Sequence, residues 1–230
     1  MPDLIGGAIE RGEFWDSHLK AIIERYADPT RTAIDAGTFI GFHTVFLARH
    51  FGAVYSFEPQ PRCFRLLNAN VELNGCGNVH TYNVPLYDTE TWMELANSEL
   101  QQIPLKMRDG AVDYNTIGNA AALAFVPVGG SPAAVRSATI DSLGLRDVGF
   151  IKVDTQGCDL RVLKGARQTI EACRPAIVFE VEEKLSRNHG DTVADYRKFF
   201  ADLDYDLTEV AHSGSDQWDF LAVPRGSRGE

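Results

Sequence analysis

Short apolar runs alternate with amphipathic segments along most of the chain. Runs bounded by Gly, Pro, Asp or Asn predict strands, whereas apolar residues three or four positions apart predict helices. Strands are predicted at 32–35, 53–57, 79–84, 149–154, 176–181, 206–211 and 220–223, and helices at 9–26, 42–51, 61–74, 160–173 and 193–203. This alternation predicts an α/β fold whose mostly parallel, seven-stranded sheet has helices on both faces.

The alternation is interrupted between residues 89 and 137, where polar stretches and the sequence Val128-Gly129-Gly130-Ser131-Pro132 show no single period. A loop of this length in a compact domain is usually functional or mobile. We interpret it as an insertion with short strands or a helix that helps cover a ligand cleft, and a mobile surface excursion is the alternative. Residues 1–30 are expected to form a helical extension of a single domain that spans 1–230.

The composition supports a full hydrophobic core in an acidic protein. Of the 230 residues, 44% are hydrophobic, and the net charge is −10 with a pI near 5.1. An acidic surface repels phosphate backbones, so nucleic acid is not expected as a partner. No run reaches the roughly 18 apolar residues of a membrane span, and the start resembles no signal peptide, so we expect a cytoplasmic protein without a membrane partner. The four cysteines lack any C-x-x-C spacing, which predicts reduced thiols and no zinc site.

A glycine turn follows the first predicted strand. The sequence Asp35-Ala36-Gly37-Thr38-Phe39-Ile40-Gly41 leads into an apolar helix and leaves bare backbone where an adenosine cofactor can lie. Dinucleotide sites usually carry G-x-G-x-x-G, but bulky Phe39 and Ile40 occupy the place of close approach to a pyrophosphate. Asp35 would repel a diphosphate but could hold an ammonium group. S-adenosylmethionine (SAM) carries an ammonium and no phosphate and therefore suits the turn, while tight packing of strand on helix is the alternative.

Glu58 follows the second predicted strand and suits the hydroxyl groups of a ribose. It follows Gly37 at close to the roughly 20-residue spacing expected for the ribose acid of a nucleotide-binding βαβ unit. Acids also stand at or just beyond the ends of other predicted strands. Helix caps or solvated turns explain any one of them as well as a function does. Because ligands gather at the carboxyl ends of strands, the whole set indicates a cleft; its members are Asp35, Glu58, Asp88, Asp154 and Glu180.

Residues 32 to 182 contain a series of motifs. They are Ile34-Asp35-Ala36-Gly37-Thr38-Phe39-Ile40-Gly41, Ser56-Phe57-Glu58-Pro59-Gln60-Pro61, Leu73-Asn74, Thr139-Ile140-Asp141-Ser142-Leu143, Phe150-Ile151-Lys152-Val153-Asp154-Thr155-Gln156-Gly157-Cys158-Asp159, Val162-Leu163-Lys164-Gly165-Ala166 and Arg174-Pro175. In this series the chain resembles the FkbM-type family of class I SAM-dependent methyltransferases. The first motif is common to many methyltransferases, whereas the block from Lys152 to Ala166 is specific. The family usually has D-V-E-G-x-E there, and this chain has Gln156 in place of the first glutamate.

The resemblance implies a Rossmann-like class I methyltransferase fold, with SAM as cofactor and S-adenosylhomocysteine (SAH) as product. Asp35 and Gly37 are expected near the amino acid part of the cofactor and Glu58 on the ribose diol. Asp88, or alternatively the backbone around Asn83 and Val84, is expected near the adenine, with Phe57 and Pro59 along the adenine face. Phe39, Gly41 and, across the same cleft, Asp154 complete the expected cofactor-binding set.

Methyl transfer to an alcohol requires an acceptor in line with the sulfur and a base or metal for its proton. Asp154 is the first candidate for the base, because a strand-tip acid can face both cofactor and acceptor; binding of loop amides is its alternative role. His189 is the second candidate, although a loop histidine is often only solvated. Lys152 shares a strand face with Asp154 and could pair with an acid or steer a substrate. A divalent cation held by Asp154 with Glu180 or Glu182 is considered but not favoured.

These observations predict a SAM-dependent methyltransferase that acts on a hydroxyl of a sugar, glycan or secondary metabolite. The expected partner is a small-molecule or carbohydrate acceptor, and a homo-oligomer is compatible with the sequence. A non-catalytic SAM-binding module, which Gln156 favours slightly, is one alternative. A nicotinamide-dependent oxidoreductase is the less favoured one.

Overall fold

The computed structural model describes residues 16–97, 107–108, 111–112, 123–129, 132–213 and 216–226. The helices are Ser17–Arg25 (α1), Phe42–Leu47 (α2), Pro61–Leu73 (α3), Asp159–Lys164 (α4), Arg167–Cys173 (α5), Glu183–Ser186 (α6) and Val193–Asp202 (α7), with 3-10 helices at Asp141–Leu143 and Arg187–His189. The strands are Asp28–Ala36 (β1), Phe51–Phe57 (β2), Val79–Tyr82 (β3), Trp92–Asn97 (β4), Met107–Arg108 (β5), Ala111–Val112 (β6), Leu123–Pro127 (β7), Val135–Arg136 (β8), Val148–Val153 (β9), Ala176–Glu182 (β10), Tyr205–Ser213 (β11) and Gln217–Pro224 (β12).

Seven strands form one sheet in the order β11-β12-β10-β9-β1-β2-β3. β1 pairs in parallel with β2 and β9, β9 with β10, and β2 with β3. β12 is antiparallel to both β10 and β11. The predicted mostly parallel seven-stranded sheet is confirmed. Because β1, β2, β9 and β10 run in one direction, their carboxyl ends meet at one edge, where open α/β sheets bind ligands.

Two apolar cores lie on opposite faces of the sheet, because successive side chains of a strand point to opposite faces. In β9, Ile151 and Val153 pack in the core beneath α4, α5 and α7, whereas Phe150 packs in the core that contains residues of α1 and α2. Helices therefore cover both faces, as predicted. The strand ends at the carboxyl edge are fixed by packing from both sides.

The segment between residues 89 and 137 contains short strands. β4, β7 and β8 form a separate sheet in the order β7-β4-β8. Met93 of β4 and Phe125 of β7 pack with Tyr87 and Cys158 in a third apolar cluster. This packing ties the small sheet to the start of α4. The Val128-to-Pro132 turn lies only partly within the described residues.

The helix predicted over 160–173 is two helices, because another segment crosses it closely. A Cβ at Gly165 would lie 2.1 Å from the carbonyl oxygen of Tyr87, so only glycine fits where α4 ends. The carboxylate of Asp141 then accepts hydrogen bonds from the backbone N–H groups of Gln168 and Thr169, at 3.0 and 2.8 Å. This cap starts α5 in a new direction.

Several other predicted boundaries were wrong by a few residues. The helix predicted to reach Phe51 ends at Leu47, because Phe51 already pairs with Asp28 as the first residue of β2. The third strand ends at Tyr82 rather than Val84, and α1 begins at Ser17. The earlier part of that predicted helix, residues 9–15, lies outside the described residues. Within the part of the chain that the structure describes, no helix has the length and apolar character to cross a membrane.

Candidate active site

A cavity of about 590 Å³ opens at the carboxyl edge of the sheet, within the usual volume of ligand pockets. Its walls come from the turns after β1, β2 and β9, from β10 and β12, from the start of α1 and from the insertion. Many of the predicted site residues share this cavity; they are Gly37, Phe39, Phe57, Glu58, Pro59, Val84, Lys152 and Asp154.

The glycine turn is packed directly against the end of β9. Gly37 has φ +79°, and a Cβ there would lie 1.8 Å from the carbonyl oxygen of Asp154. The N–H of Asp154 donates to the carbonyl of Ala36 at 2.9 Å, and the N–H of Gly37 donates to that of Phe57 at 3.0 Å. No side chain fits at Gly37, so the backbone itself forms this wall of the cavity.

Glu58 is a buried carboxylate on the cavity wall, with 4% of its surface exposed. Its Oε2 accepts the N–H of Phe39 at 2.9 Å and its Oε1 accepts the N–H of Gln60 at 2.8 Å. These bonds hold the glycine turn and the turn after β2 together. Burial outweighs the two hydrogen bonds and raises the pKa of Glu58 to about 8. Each oxygen keeps a lone pair that a ligand hydroxyl can reach.

Lys152 joins two carboxylates beneath the glycine turn. Its Nζ lies 3.6 Å from Asp35 Oδ1 and 3.3 Å from Asp154 Oδ2, and it donates to the carbonyl of Gly37 at 3.3 Å. Burial opposes the charge of Lys152, but Asp154 and Asp35 raise its pKa above the usual range overall. The ammonium is therefore a permanent charge. Lys152 is only 4% exposed, although it forms part of the cavity lining.

Asp35 is completely buried and is not part of the cavity lining, and its expected contact with the cofactor stays a prediction. Its Oδ2 accepts the hydroxyl proton of Thr44 at 2.7 Å, and its Oδ1 faces Lys152. Burial raises the pKa of Asp35, while Lys152 opposes the shift. The carboxylate acts on the cavity through Lys152.

Asp154 and Glu180 face the cavity on either side of Gln156. The Nε2 of Gln156 donates to Asp154 Oδ1 at 3.3 Å and to Glu180 Oε2 at 3.4 Å. Gln217 donates to the other oxygen of Glu180 at 2.5 Å. Burial, and then the charge of Asp154, raise the pKa of Glu180 well above its usual value. Within the described ranges, no group of three or more His, Cys, Asp or Glu residues is arranged to hold a metal ion.

Besides Asp35, three residues expected at the cofactor lie outside the cavity lining. Gly41 begins α2 and packs under the side chain of Leu67. Asn83 donates from Nδ2 to the backbone carbonyl of Glu58 at 2.7 Å, so it supports the turn from behind. Asp88 pairs with Arg161 at 3.2 Å. The chain after β3 turns towards α4, and this turn carries Asp88 to Arg161 rather than to the cavity wall.

His189 also lies outside the cavity lining, and its assignment as a candidate base stays a prediction. Its Nδ1 lies 3.3 Å from the hydroxyl of Tyr87 and its Nε2 lies 3.3 Å from the sulfur of Cys158. Burial, and then the charge of Arg161, lower the pKa of His189. Both ring nitrogens are engaged in the interior, so the histidine contributes packing beside the site.

Asp16, His18 and Asp219 are charged or titratable cavity residues that the sequence prediction did not include. Asp16 and His18 come from the start of α1, and Asp219 comes from β12. His18 Nε2 lies 2.9 Å from Asp219 Oδ2. Burial, and then the charge of Asp154, raise the pKa of Asp16 to about 6. One signal in the sequence could have indicated this part of the site: Asp219 is a charged residue in the otherwise apolar run from Trp218 to Val223.

Comparison with known proteins agrees with this architecture. The model of the FkbM methyltransferase domain matches residues 35–207. No curated protein matches the chain. The structure of the FkbM methyltransferase from Methylobacillus flagellatus KT is similar with a TM-score of 0.54 and 15% identity, over 85% of this chain and 44% of that one. The protein thus spans less than half the length of that relative.

Two further solved structures have the same fold. A Streptococcus mutans protein described as a methyltransferase, in complex with SAH, has a TM-score of 0.52 and 12% identity, over 90% of this chain and 96% of that one. A dimethyladenosine transferase from Plasmodium falciparum has a TM-score of 0.52 and 11% identity, over 91% and 62%. At such identities the likeness establishes the Rossmann-like methyltransferase fold alone. Since the family model covers most of the sequence, the chain belongs to the FkbM methyltransferase domain family.

Proposed function

We propose that the protein is a SAM-dependent methyltransferase that methylates a hydroxyl group of a small molecule or carbohydrate. The observation that carries the proposal is the arrangement of Gly37, Glu58 and Asp154 around one cavity. Gly37 contributes bare backbone, Glu58 a buried carboxylate with a free lone pair on each oxygen, and Asp154 a partly exposed carboxylate. The family supports the reaction class, and the SAH complex of the S. mutans protein supports the cofactor.

The residues fit SAM at three points. Glu58 can accept hydrogen bonds from the ribose diol, between Phe57 and Pro59 on the same wall. The missing side chain at Gly37 lets the turn after β1 pack against the backbone of Asp154, so that bare backbone lines the cavity where the amino acid part can lie. The side chain of Asp154, 36% exposed, can pair with the α-ammonium. When bound, SAM supplies a methyl group already activated by its sulfonium.

Because the methyl group is activated, positioning the acceptor is the main task of the protein. The apolar wall formed by Met93, Leu123 and Phe125 of the insertion closes one side of the cavity and excludes water. Glu180 is fixed by the amides of Gln156 and Gln217 and can accept a hydrogen bond from an acceptor hydroxyl. These contacts favour a polar, hydroxyl-bearing acceptor.

The charges along the cavity also bear on the acceptor. Carboxylates of Asp16, Asp154, Glu180 and Asp219 face it, whereas Lys152 lies buried beneath the glycine turn. Phosphate groups would be repelled by such a lining. This supports a neutral acceptor over a nucleic acid, and a small molecule or sugar satisfies that condition.

Isothermal titration calorimetry with SAM, SAH and NAD tests the cofactor. We expect SAM and SAH to bind at one site and NAD not to bind; preferential binding of NAD would support an oxidoreductase instead. Transfer of labelled methyl from SAM to a panel of sugars and alcohols tests the reaction. If SAH binds tightly and the labelled methyl group is transferred to amines but to no alcohol or sugar, transfer to oxygen is contradicted. SAH binding without any incorporation would favour the non-catalytic module.

A further inference from the structure

His18 and Asp219 meet on the cavity wall and have no role in cofactor binding as described above. Nε2 of His18 lies 2.9 Å from Oδ2 of Asp219, and each side chain is 27% exposed. Both residues line the cavity. A charged pair that is partly shielded and yet open to the cavity can act on a bound ligand.

The fold holds the two residues firmly. Asp219 pairs with Glu180 across β12 and β10, so the two carboxylates project from the same face of the sheet. α1 packs into the core through Leu19 and Ile23. Leu19 follows His18 directly, and its burial fixes the backbone from which the imidazole reaches Asp219.

A carboxylate beside one imidazole nitrogen orients the ring and stabilises its protonated form. The close contact with Asp219 raises the pKa of His18, burial lowers it, and the charges of Asp219 and Asp16 raise it further. Asp16 itself lies near Asp154 and Lys152, so these groups set the field around the ring. Nε2 lies 2.9 Å from Asp219 Oδ2 but is not aligned with it as a hydrogen bond in this structure. A proton on Nε2 beside this carboxylate leaves Nδ1 as the proton acceptor.

The other candidates for a base are already engaged. Asp154 is held by Lys152 and Gln156. Glu180 accepts an amide proton on each oxygen, and His189 lies outside the cavity lining. Two histidines in the described residues line the cavity. His212 is 45% exposed and stacks on Trp218, whereas His18 lies against Asp219. His18 is therefore the better placed of the two to change its protonation during the reaction.

We propose that His18 is the general base of the methyl transfer and that Asp219 is its positioning residue, an inference that rests on the proposed function. His18 Nδ1 takes the acceptor hydroxyl proton as the acceptor oxygen bonds to the methyl carbon. The carbon–sulfur bond breaks and its electron pair returns to sulfur, which leaves neutral thioether SAH. The imidazolium then stands beside the carboxylate of Asp219 and later releases its proton to solvent.

The protonation of His18 can be measured without any acceptor. In the complex with SAH, histidine ring nitrogens labelled with 15N are titrated by NMR between pH 5 and 9, and His18→Gln assigns the signal. We expect a midpoint above that of a solvated histidine, the Nε2-protonated tautomer above the midpoint, and a lower midpoint in Asp219→Asn. A ring that stays doubly protonated to pH 9, or a midpoint that Asp219→Asn does not move, overturns the proposal.

Turnover with an acceptor that the wild type methylates gives the second readout. His18→Gln is expected to lower kcat by about 10² to 10⁴-fold, the usual range for a lost general base, with the Kd of SAH unchanged. The rise of kcat with pH through the His18 midpoint is expected to vanish in this variant, while His80→Gln, an exposed control on β3, retains it. A wild type that transfers no methyl group overturns the proposed function and this inference with it. If the wild type is active and His18→Gln has the same kcat at every pH, this inference alone is overturned.

Discussion

A pH titration of SAH binding tests the assignment of Glu58 to the ribose. Burial raises the pKa of Glu58 to about 8, so the carboxyl of the unliganded protein is mostly neutral at pH 7. Ribose hydroxyls that donate to a carboxylate stabilise its ionised form, so binding lowers this pKa. Because one unit of pKa corresponds to about 1.4 kcal/mol, ionising Glu58 costs about 1.4 kcal/mol at pH 7 and about 2.7 kcal/mol at pH 6.

The sign of the effect follows from this cost. Below the pKa of the free protein, binding must release a proton, so the affinity of the wild type for SAH is expected to rise by up to about tenfold per pH unit between pH 6 and 8 and to level off above. Calorimetry in buffers of different ionisation enthalpy counts the protons directly. We expect close to one proton released from Glu58 per SAH bound near pH 7.

Glu58→Gln is the matched control, since its side chain has almost the same shape and cannot ionise. It is expected to abolish the proton release and to weaken SAH binding at pH 8.5 by about 1.5–3 kcal/mol, the value of a hydrogen bond to a charged group. 5′-Methylthioadenosine keeps the diol but lacks the amino acid part, and we expect it to show the same pH dependence. A wild type whose SAH affinity is flat from pH 6 to 8.5, or a glutamine variant that keeps the slope, refutes the assignment.

Three further predictions concern how the site is held. Gly37→Ala places a methyl group 1.8 Å from a backbone oxygen and is expected to lower the free energy of unfolding, measured by urea titration, by about 3 kcal/mol or more. Gly75→Ala is the control, because Gly75 also has a positive φ but a Cβ there would have no atom within 4 Å. It is expected to lower the free energy of unfolding by about 1–2 kcal/mol. Lys152→Met leaves buried Asp35 unpaired and is expected to cost about 3–5 kcal/mol at pH 8. The cost should be smaller at pH 5.5, because Asp35 can then bind a proton, and addition of Asp35→Asn should restore most of the loss; equal losses at both pH values would contradict this. Asp141→Ala removes the cap of the helix after Gly165 and is expected to cost about 0.5–2 kcal/mol by denaturant unfolding, and unchanged stability would show that the cap is dispensable.

The sheet could be predicted from the sequence because its central strands are buried on both faces. Such strands appear as short continuous apolar runs, as in residues 148–153, which are all buried. Glu58 could be predicted as well, since its position relative to the glycine turn depends only on one strand, one helix and the next strand. Such features can be predicted because they depend only on elements that follow one another directly in the sequence.

Features that depend on the approach of distant segments could not be predicted in this way. α4 and α5 are separate helices because the backbone of Tyr87 passes close beside Gly165. The sequence does not show this break, since its helical apolar period continues through Gly165. His18 and Asp219 meet only because α1 packs on the sheet near β12. For the same reason, the sequence placed too many strand-end acids at the cleft: Asp88 pairs with Arg161 instead.

Gln156 bears on whether the cleft is catalytic. A glutamine in place of the family's usual glutamate favours, from sequence alone, a protein that binds SAM without transferring its methyl group. In the structure the amide of Gln156 donates to both Asp154 and Glu180, and a glutamate there would add a third negative charge between them. Two carboxylates bridged by an amide stay close together without a cation, and both remain on the cavity wall. The substitution therefore keeps both carboxylates on the cavity wall, and this favours the proposed methyl transfer over a purely binding role.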